Sequence, residues 1–298
     1  MMKKSSILAA FILISAVFTA PAWEVGTNVH LTNLGFHKAR TSDILTFSGL
    51  DFPWGVDAYL NHAVTDKIGI NAGYYMDPIL RNSVYTLFTF KESFLDLSVG
   101  PFFGLFNARN ALLKAGISTS IKLSFPGIIF LQFRTDSSIG GRLIQEGDYL
   151  QERNIATLGF YVPFAICSVG LHTKKYTEKV ADGERIDTQY IYSFTTDIYK
   201  KNVPYKVIVN FAFHQLSKTF IEAAGTTVHT LNSLVAGFQV DIFASEVITL
   251  QLGLDSSIYT FGTNALLGIS NPGPGGYLFD ARAGVNINID SIIARRNL

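Results

Sequence analysis

The chain has 298 residues, with 24 lysines and arginines against 23 aspartates and glutamates and a formal net charge of +1. Charged residues make up only 16%, against about 25% in ordinary soluble domains, while hydrophobic residues reach 48% and mean hydropathy is +0.26. No basic excess points to nucleic acid, and a single cysteine, Cys167, excludes an internal disulfide framework and reads as a small apolar strand residue.

The first segment sets the compartment. Lys3 and Lys4 form a basic start, Ile7 to Phe18 is apolar or small, and Ala20-Pro21-Ala22 supplies small residues for cleavage. This is the layout of a secretory signal peptide over residues 1–22, which makes Trp23 the expected mature N-terminus. No cysteine stands near the cleavage point, which argues against a lipid anchor. Beyond Trp23 no apolar run reaches the roughly 18 residues of a spanning helix. An apolar, charge-poor chain without such helices has one other way to live in lipid, a closed β-barrel in which every backbone polar group is paired.

From Trp23 onward the sequence is written in period two. Trp23, Val25, Thr27, Val29 and Leu31 alternate with Glu24, Gly26, Asn28, His30 and Thr32. Trp54, Val56, Ala58 and Leu60 continue the apolar series, followed by Ile68, Ile70, Ala72, Tyr74 and Met76. The alternation recurs through Leu95–Phe103, Leu113–Leu123, Ile129–Phe133, Ala165–Leu171, Ile186–Ile198, Tyr205–Phe213, Leu234–Ile242 and Ile248–Leu254. Tyr277 to Ile289 closes the chain with its cleanest alternation. Val84–Phe90 and Ile155–Val162 alternate poorly and are assigned by position. The expected fold is an all-β, transmembrane antiparallel up-and-down barrel over 23–290, followed by a periplasmic tail over 291–298. About 14 strands are expected, or 12 without the weak pair, each of roughly 9–11 residues.

Connection lengths point the same way. Tight turns are expected at Thr65–Lys67, Lys91–Ser93, Phe125–Gly127, Pro163-Phe164, Lys200–Pro204 and Ala244–Glu246, on the periplasmic side. Longer extracellular links are expected at Asn33–Phe52, Asp136–Asp148, Lys174–Glu184, Leu216–Thr227 and Ile258–Gly275. Asp77–Asn82 and Asn107–Asn110 are shorter than that scheme prefers. Ile258–Gly275, with its Asn271-Pro272-Gly273-Pro274 turn, is a candidate constriction element or an exposed loop.

A water-soluble β-sandwich also alternates, but its polar face would be rich in Lys and Glu. Here the second face is mostly Gly, Ser, Asn and Thr, which suits a confined lumen. Trp23, Trp54, Tyr59, Tyr75, Phe94 and Tyr277 fall near strand ends, where interfacial girdles are expected. The inner face would carry Asp57, Asp96, Asp241, Asp255 and Asp280 beside Lys114, Lys122, Arg134, Lys206 and Arg282. These ten are the candidate pore-lining residues, with signs nearly balanced, pairing across strands, lining a pore, or both.

In this patterning the chain resembles bacterial outer-membrane porin-type β-barrels as a general class. The resemblance covers the mature chain and implies residence in the outer membrane, contact with its lipid and its assembly machinery, and passage of small polar solutes. One departure is the C-terminal strand, Asn286-Ile287-Asn288-Ile289-Asp290, which lacks the terminal aromatic residue usual in that class. The chain is similar in strand number to outer-membrane fatty-acid transporters, yet it enters a strand at Trp23, where that family carries a plug.

The expected function is a weakly ion-selective, porin-like channel needing no cofactor, metal or catalytic residue. Two alternatives are a closed barrel acting through its loops as a receptor or adhesin, and a lipid hydrolase. The hydrolase would draw on His30, His172, His214 and His229, expected near the extracellular rim, with Ser217 and Glu222 near His214. No nucleophile elbow or paired-histidine metal motif supports it.

Overall fold

The computed structural model describes residues 23–32, 54–77, 79–108, 111–138, 149–180, 183–199, 203–262 and 279–289. The expected signal peptide, the 291–298 tail and most of the Asn33–Phe52 and Ile258–Gly275 links lie outside these residues. The strands are β1 (Trp23–Thr32), β2 (Trp54–Ala63), β3 (Ile68–Asp77), β4 (Arg81–Glu92), β5 (Leu95–Ala108), β6 (Ala111–Phe125) and β7 (Ile129–Ser138). They continue with β8 (Tyr149–Val162), β9 (Ala165–Val180), β10 (Gly183–Tyr199), β11 (Tyr205–Glu222), β12 (Gly225–Phe243), β13 (Ile248–Gly262) and β14 (Phe279–Asn288). Each pairs antiparallel with its chain neighbours, and β1 pairs with β14 from Glu24↔Asn288 to Thr32↔Asp280. That seam closes the barrel and removes both sheet edges, which a sandwich would keep. Both weakly alternating segments are strands, β4 and β8, and the count is 14.

Alternation decides which face each residue takes. Large apolar side chains of one parity stay exposed on the outside, among them Phe88, Val99, Ile121, Phe133, Phe194, Phe211, Phe238 and Leu252. Such a continuous apolar surface far exceeds the few hundred Å² that a water-soluble monomer exposes. Among the described residues no helix is long and apolar enough to cross a membrane, so crossing falls to the strands.

Of the residues expected in the girdle, Phe94 is there, joined by others not expected. Phe90, Phe94, Phe125, Phe164, Tyr205 and Phe243 are exposed at the short-turn end of the barrel. Tyr59 and Tyr75 instead have the inward parity, and Tyr75 is buried. Trp23 stacks on His62 at 4.1 Å. The turns at this end are set by short side chains. The Thr65 hydroxyl accepts the N–H groups of Lys67 and Ile68 at 3.2 and 3.0 Å, and Ser245 accepts those of Val247 and Ile248 at 3.1 and 3.0 Å. Gly127 supplies the positive φ, +75°, that its turn needs.

Two long links are not loops. β9 runs on to Val180 and β10 starts at Gly183, so Lys174 to Glu184 is almost all strand. Leu216–Thr227 is likewise the top of β11, a turn, and the start of β12. Asp136 to Ser138 also belongs to β7. The cause is a change of partner on the outer face: above Leu171 and Phe213 it turns polar, with Thr173 and Lys175 on β9 and Gln215, Ser217 and Thr219 on β11. Loss of apolar alternation marks the lipid boundary, while ladder hydrogen bonding continues past it. β11 and β12 have 18 and 19 residues against 10 in β1, and a bilayer needs only about 9–11. One side of the barrel thus stands well above the lipid.

Candidate functional site

Inside the barrel the extracellular half divides into a packed sector and an open one. The packed sector begins with the β3–β4 connection, which folds inward. The Asp77 carboxylate accepts the N–H groups of Ile79 and Leu80 at 2.8 and 2.9 Å, an Asx turn. Arg81, at φ +61°, then redirects the chain into β4. Ile79 and Leu80 are each 1% exposed. Leu80 joins Tyr75, Tyr85, Leu87 and Phe102 in one apolar cluster within the lumen. Gln151 donates to the Leu80 carbonyl, and Lys174 pairs with Asp77, so side chains of β8 and β9 hold the turn down.

A charged layer covers this cluster. The guanidinium of Arg134 lies 4.1 Å from the Tyr85 ring centroid, and that of Arg153 lies 4.1 Å from Tyr75. Both arginines converge on Asp136, which is fully buried: Arg134 Nε donates at 3.2 Å, Arg153 Nε at 2.7 Å, and Ser118 donates as well. One carboxylate with three donors satisfies the rule that a buried charge be paired and hydrogen-bonded. Higher up, Arg81 sits 4.6 Å over Tyr176, and Arg185 pairs with the buried Asp187 beside Lys218.

The open sector is walled by β12, β13, β14, β1 and β2. His30 bridges two carboxylates, with Nε2 2.9 Å from Asp57 and Nδ1 3.4 Å from Asp280. Arg282 donates to Asp255 at 2.5 Å, and Lys206 stands 3.2 Å from Asp241 and 3.6 Å from Asp197. Glu24 accepts from Asn61 at 3.0 Å and from Asn286. Large inward side chains here lie flat on glycines of the next strand. A Cβ on Gly26 would overlap the Tyr59 ring, and one on Gly253 would come 2.6 Å from Arg282 Nε. Gly73 beneath Tyr85 and Gly159 beneath Phe130 repeat the device. Glycine is needed at these positions for close approach.

Two cavities lie in the lumen. One of about 240 Å³, at the extracellular end, has His30, Asp57, Leu80, His172, Lys174, His214 and Arg282 among its walls. The other, of about 610 Å³ at the periplasmic end, has Glu24, Asn61, His62, Asn71, Thr89, Asn286 and Asn288.

All ten candidates share the inward parity. Asp57, Asp255, Asp280 and Arg282 meet at the extracellular cavity. Lys206 and Asp241 pair lower on the wall, Arg134 belongs to the packed sector, and Lys114 is 2% exposed beside Gly104. Asp96 stands opposite Lys122, whose ammonium is 5.2 Å over the Phe130 ring. The signs are not evenly mixed. On β7–β11 the inward cations Arg134, Arg153, Lys174, Arg185, Lys206 and Lys218 are interleaved with Asp136, Asp187 and Asp197, while on β12–β2 Glu24, Asp57, Asp241, Asp255 and Asp280 outnumber Arg282. Arg153, Lys174 and Asp136 escaped sequence reading because they fall in a weakly alternating strand or in spans read as loops. Their parity, counted onward from the lipid-facing residues, is the signal that locates them.

The histidines are not at an open rim. His30, His172 and His214 line the extracellular cavity; the His229 side chain lies outside the described residues. His214 and Ser217 are three residues apart on one strand and take opposite faces of the wall, so the hydrolase trio is not assembled. Among the described residues no group of three or more His, Cys, Asp or Glu side chains is placed to hold a metal ion.

No family model matches this chain, and no curated protein matches it by sequence. Solved structures do resemble it. An outer-membrane channel from Pseudomonas putida F1 has 10% identity over 90% of this chain and 96% of its own, with a TM-score of 0.49. In-vitro folded OmpT, an outer membrane protein of Vibrio cholerae, has 7% identity over 90% and 96%, at 0.44. A porin refined at high resolution has 7% identity over 89% and 99%, at 0.43. The chain is a closed 14-stranded antiparallel barrel, and solved structures this dissimilar in sequence pass on no activity.

Proposed function

We infer that the protein is an outer-membrane channel through which small polar solutes diffuse passively, with weak ion preference. The observation that carries this reading is the polar, charge-lined interior: a cavity at each end, with carboxylates in excess over cations on the β12–β2 wall. A lumen meant only to stiffen a barrel is filled with packed side chains, as in eight-stranded barrels. Here packing occupies one sector, and the opposite wall keeps Asp57 at 45% side-chain exposure. Opposed walls of nearly equal charge favour neither cations nor anions strongly, so pore width and wall polarity do the selecting. The inward turn narrows the passage and favours a low conductance. Planar-bilayer recording of the refolded protein tests this. Small, stable conductance steps with weak ion preference are expected; a correctly folded barrel that never conducts sinks the channel and favours a closed barrel acting through its surface.

A further inference from the structure

The extracellular cavity has walls of opposite character, and it holds two imidazoles with no protein partner. His172 and His214 line it, and neither ring is hydrogen-bonded among the described residues; His172 Nε2 and His214 Nδ1 are buried. His214 is 8% exposed, and His172 is partly buried. A buried polar group without a partner is costly unless a water or a ligand satisfies it. Lys174 stands beside them on β9, and its charge acts on both rings.

Across the cavity the chemistry reverses. Asp57 gives one oxygen to His30 and keeps its side chain 45% exposed, more open than the ion-paired Asp77, Asp255 and Asp280 of this cavity. Asp255, paired with Arg282, and Asp280, paired with His30, extend this wall, in which carboxylates outnumber cations, while Asp77 on the opposite wall is paired with Lys174. Ile79 and Leu80 of the inward turn add apolar surface, and Ile191 lies between the two histidines on their own wall. A simple anion entering here meets the carboxylates, and a simple cation meets Lys174 and Arg153. Each is rejected by one wall, the usual route to discrimination. A molecule with both charges satisfies both walls. About 240 Å³ lies below the roughly 300–1,000 Å³ of drug-sized pockets, so the ligand is small.

We propose that this cavity is a binding subsite for a small zwitterion of the α-amino-acid type. Its carboxylate accepts hydrogen bonds from His172 and His214, and its ammonium donates to Asp57. The subsite rests on the channel reading above and names the solute that the channel passes.

Saturation-transfer NMR on the folded full barrel in detergent micelles tests it, with L-serine, glycolate and ethanolamine as probes. Saturable serine binding is expected, with each singly charged half at least about tenfold weaker. Asp57→Asn should weaken serine about tenfold, as should the His172→Ala/His214→Ala pair, each checked for barrel closure by heat-modifiable mobility. Asp57 is open enough that D57N alone keeps the test decisive if the histidine pair does not fold. Serine binding no better than its halves, or left unchanged by D57N, overturns the subsite. Conductance without serine binding removes the subsite and leaves the channel; serine binding without conductance keeps the subsite and removes the channel.

Discussion

The two sides of the lumen are built from the same kind of strand and end differently. On the β3–β9 side, inward residues are aromatic or long and cationic, and they bury one another: Tyr75, Tyr85 and Phe102 beneath Arg134 and Arg153, closed by an inward turn. On the β12–β2 side, inward residues are mostly glycine, asparagine and carboxylates, with Tyr59 and Arg282 lying flat on the wall, and Asp57 stays open to the lumen. The difference teaches that parity decides which way a side chain points, while volume decides whether that side is core or passage. Tyr59, laid over Gly26, keeps the wall thin, whereas Tyr75 and Tyr85 beneath the arginines help to fill the lumen.

Breaking the packed side should have the largest effect. Asp136→Ala strands two guanidiniums in a buried layer, and losing one partner of such a network costs about 3–5 kcal/mol. A marked drop in urea unfolding midpoint is expected; an unchanged midpoint would mean that the layer is wet. Leu80→Ala should cost about 2–4 kcal/mol, as buried Leu truncations do. It should also loosen the inward turn, and single-channel conductance should rise. If conductance stays flat, the turn is not what narrows the passage.

On the open side, effects should appear in transport more than in stability. Gly26→Val drives the Tyr59 ring off the wall and into the lumen. Reduced conductance with the fold retained is expected, and unchanged conductance would place Tyr59 away from the solute path. Arg282→Met leaves Asp255, 8% exposed, without its cation, so stability should fall by about 1–3 kcal/mol. Reversal-potential measurements should then shift toward cations, because the acidic wall loses a counter-charge. A shift toward anions would contradict the segregation of signs.

Legibility varied along the chain for physical reasons. β14 was readable because its outward face is lipid from end to end, so Ala281, Ala283, Val285 and Ile287 alternate without interruption. The tops of β9 and β11 were misread as loops because their outer face meets water and headgroups, and an apolar–polar rhythm ends there although the hydrogen-bond ladder does not. Arg153 was lost in the same way. The ten inner-wall charges were found because a charge at bilayer depth facing lipid costs roughly 2–4 kcal/mol, which forces it inward.

The sequence by itself determined the barrel and the inward or outward sense of its clearly alternating residues, because period-two patterning in lipid admits only a closed sheet, while the structure decided between 14 strands and 12. Tertiary structure alone decided which inward residues meet. Closure brings His30 of β1 to Asp280 of β14, 250 positions away, and the inward turn brings Asp77 to Lys174, 97 positions away. No local pattern encodes such meetings, since they depend on the circumference of the ring and on the filling of its centre.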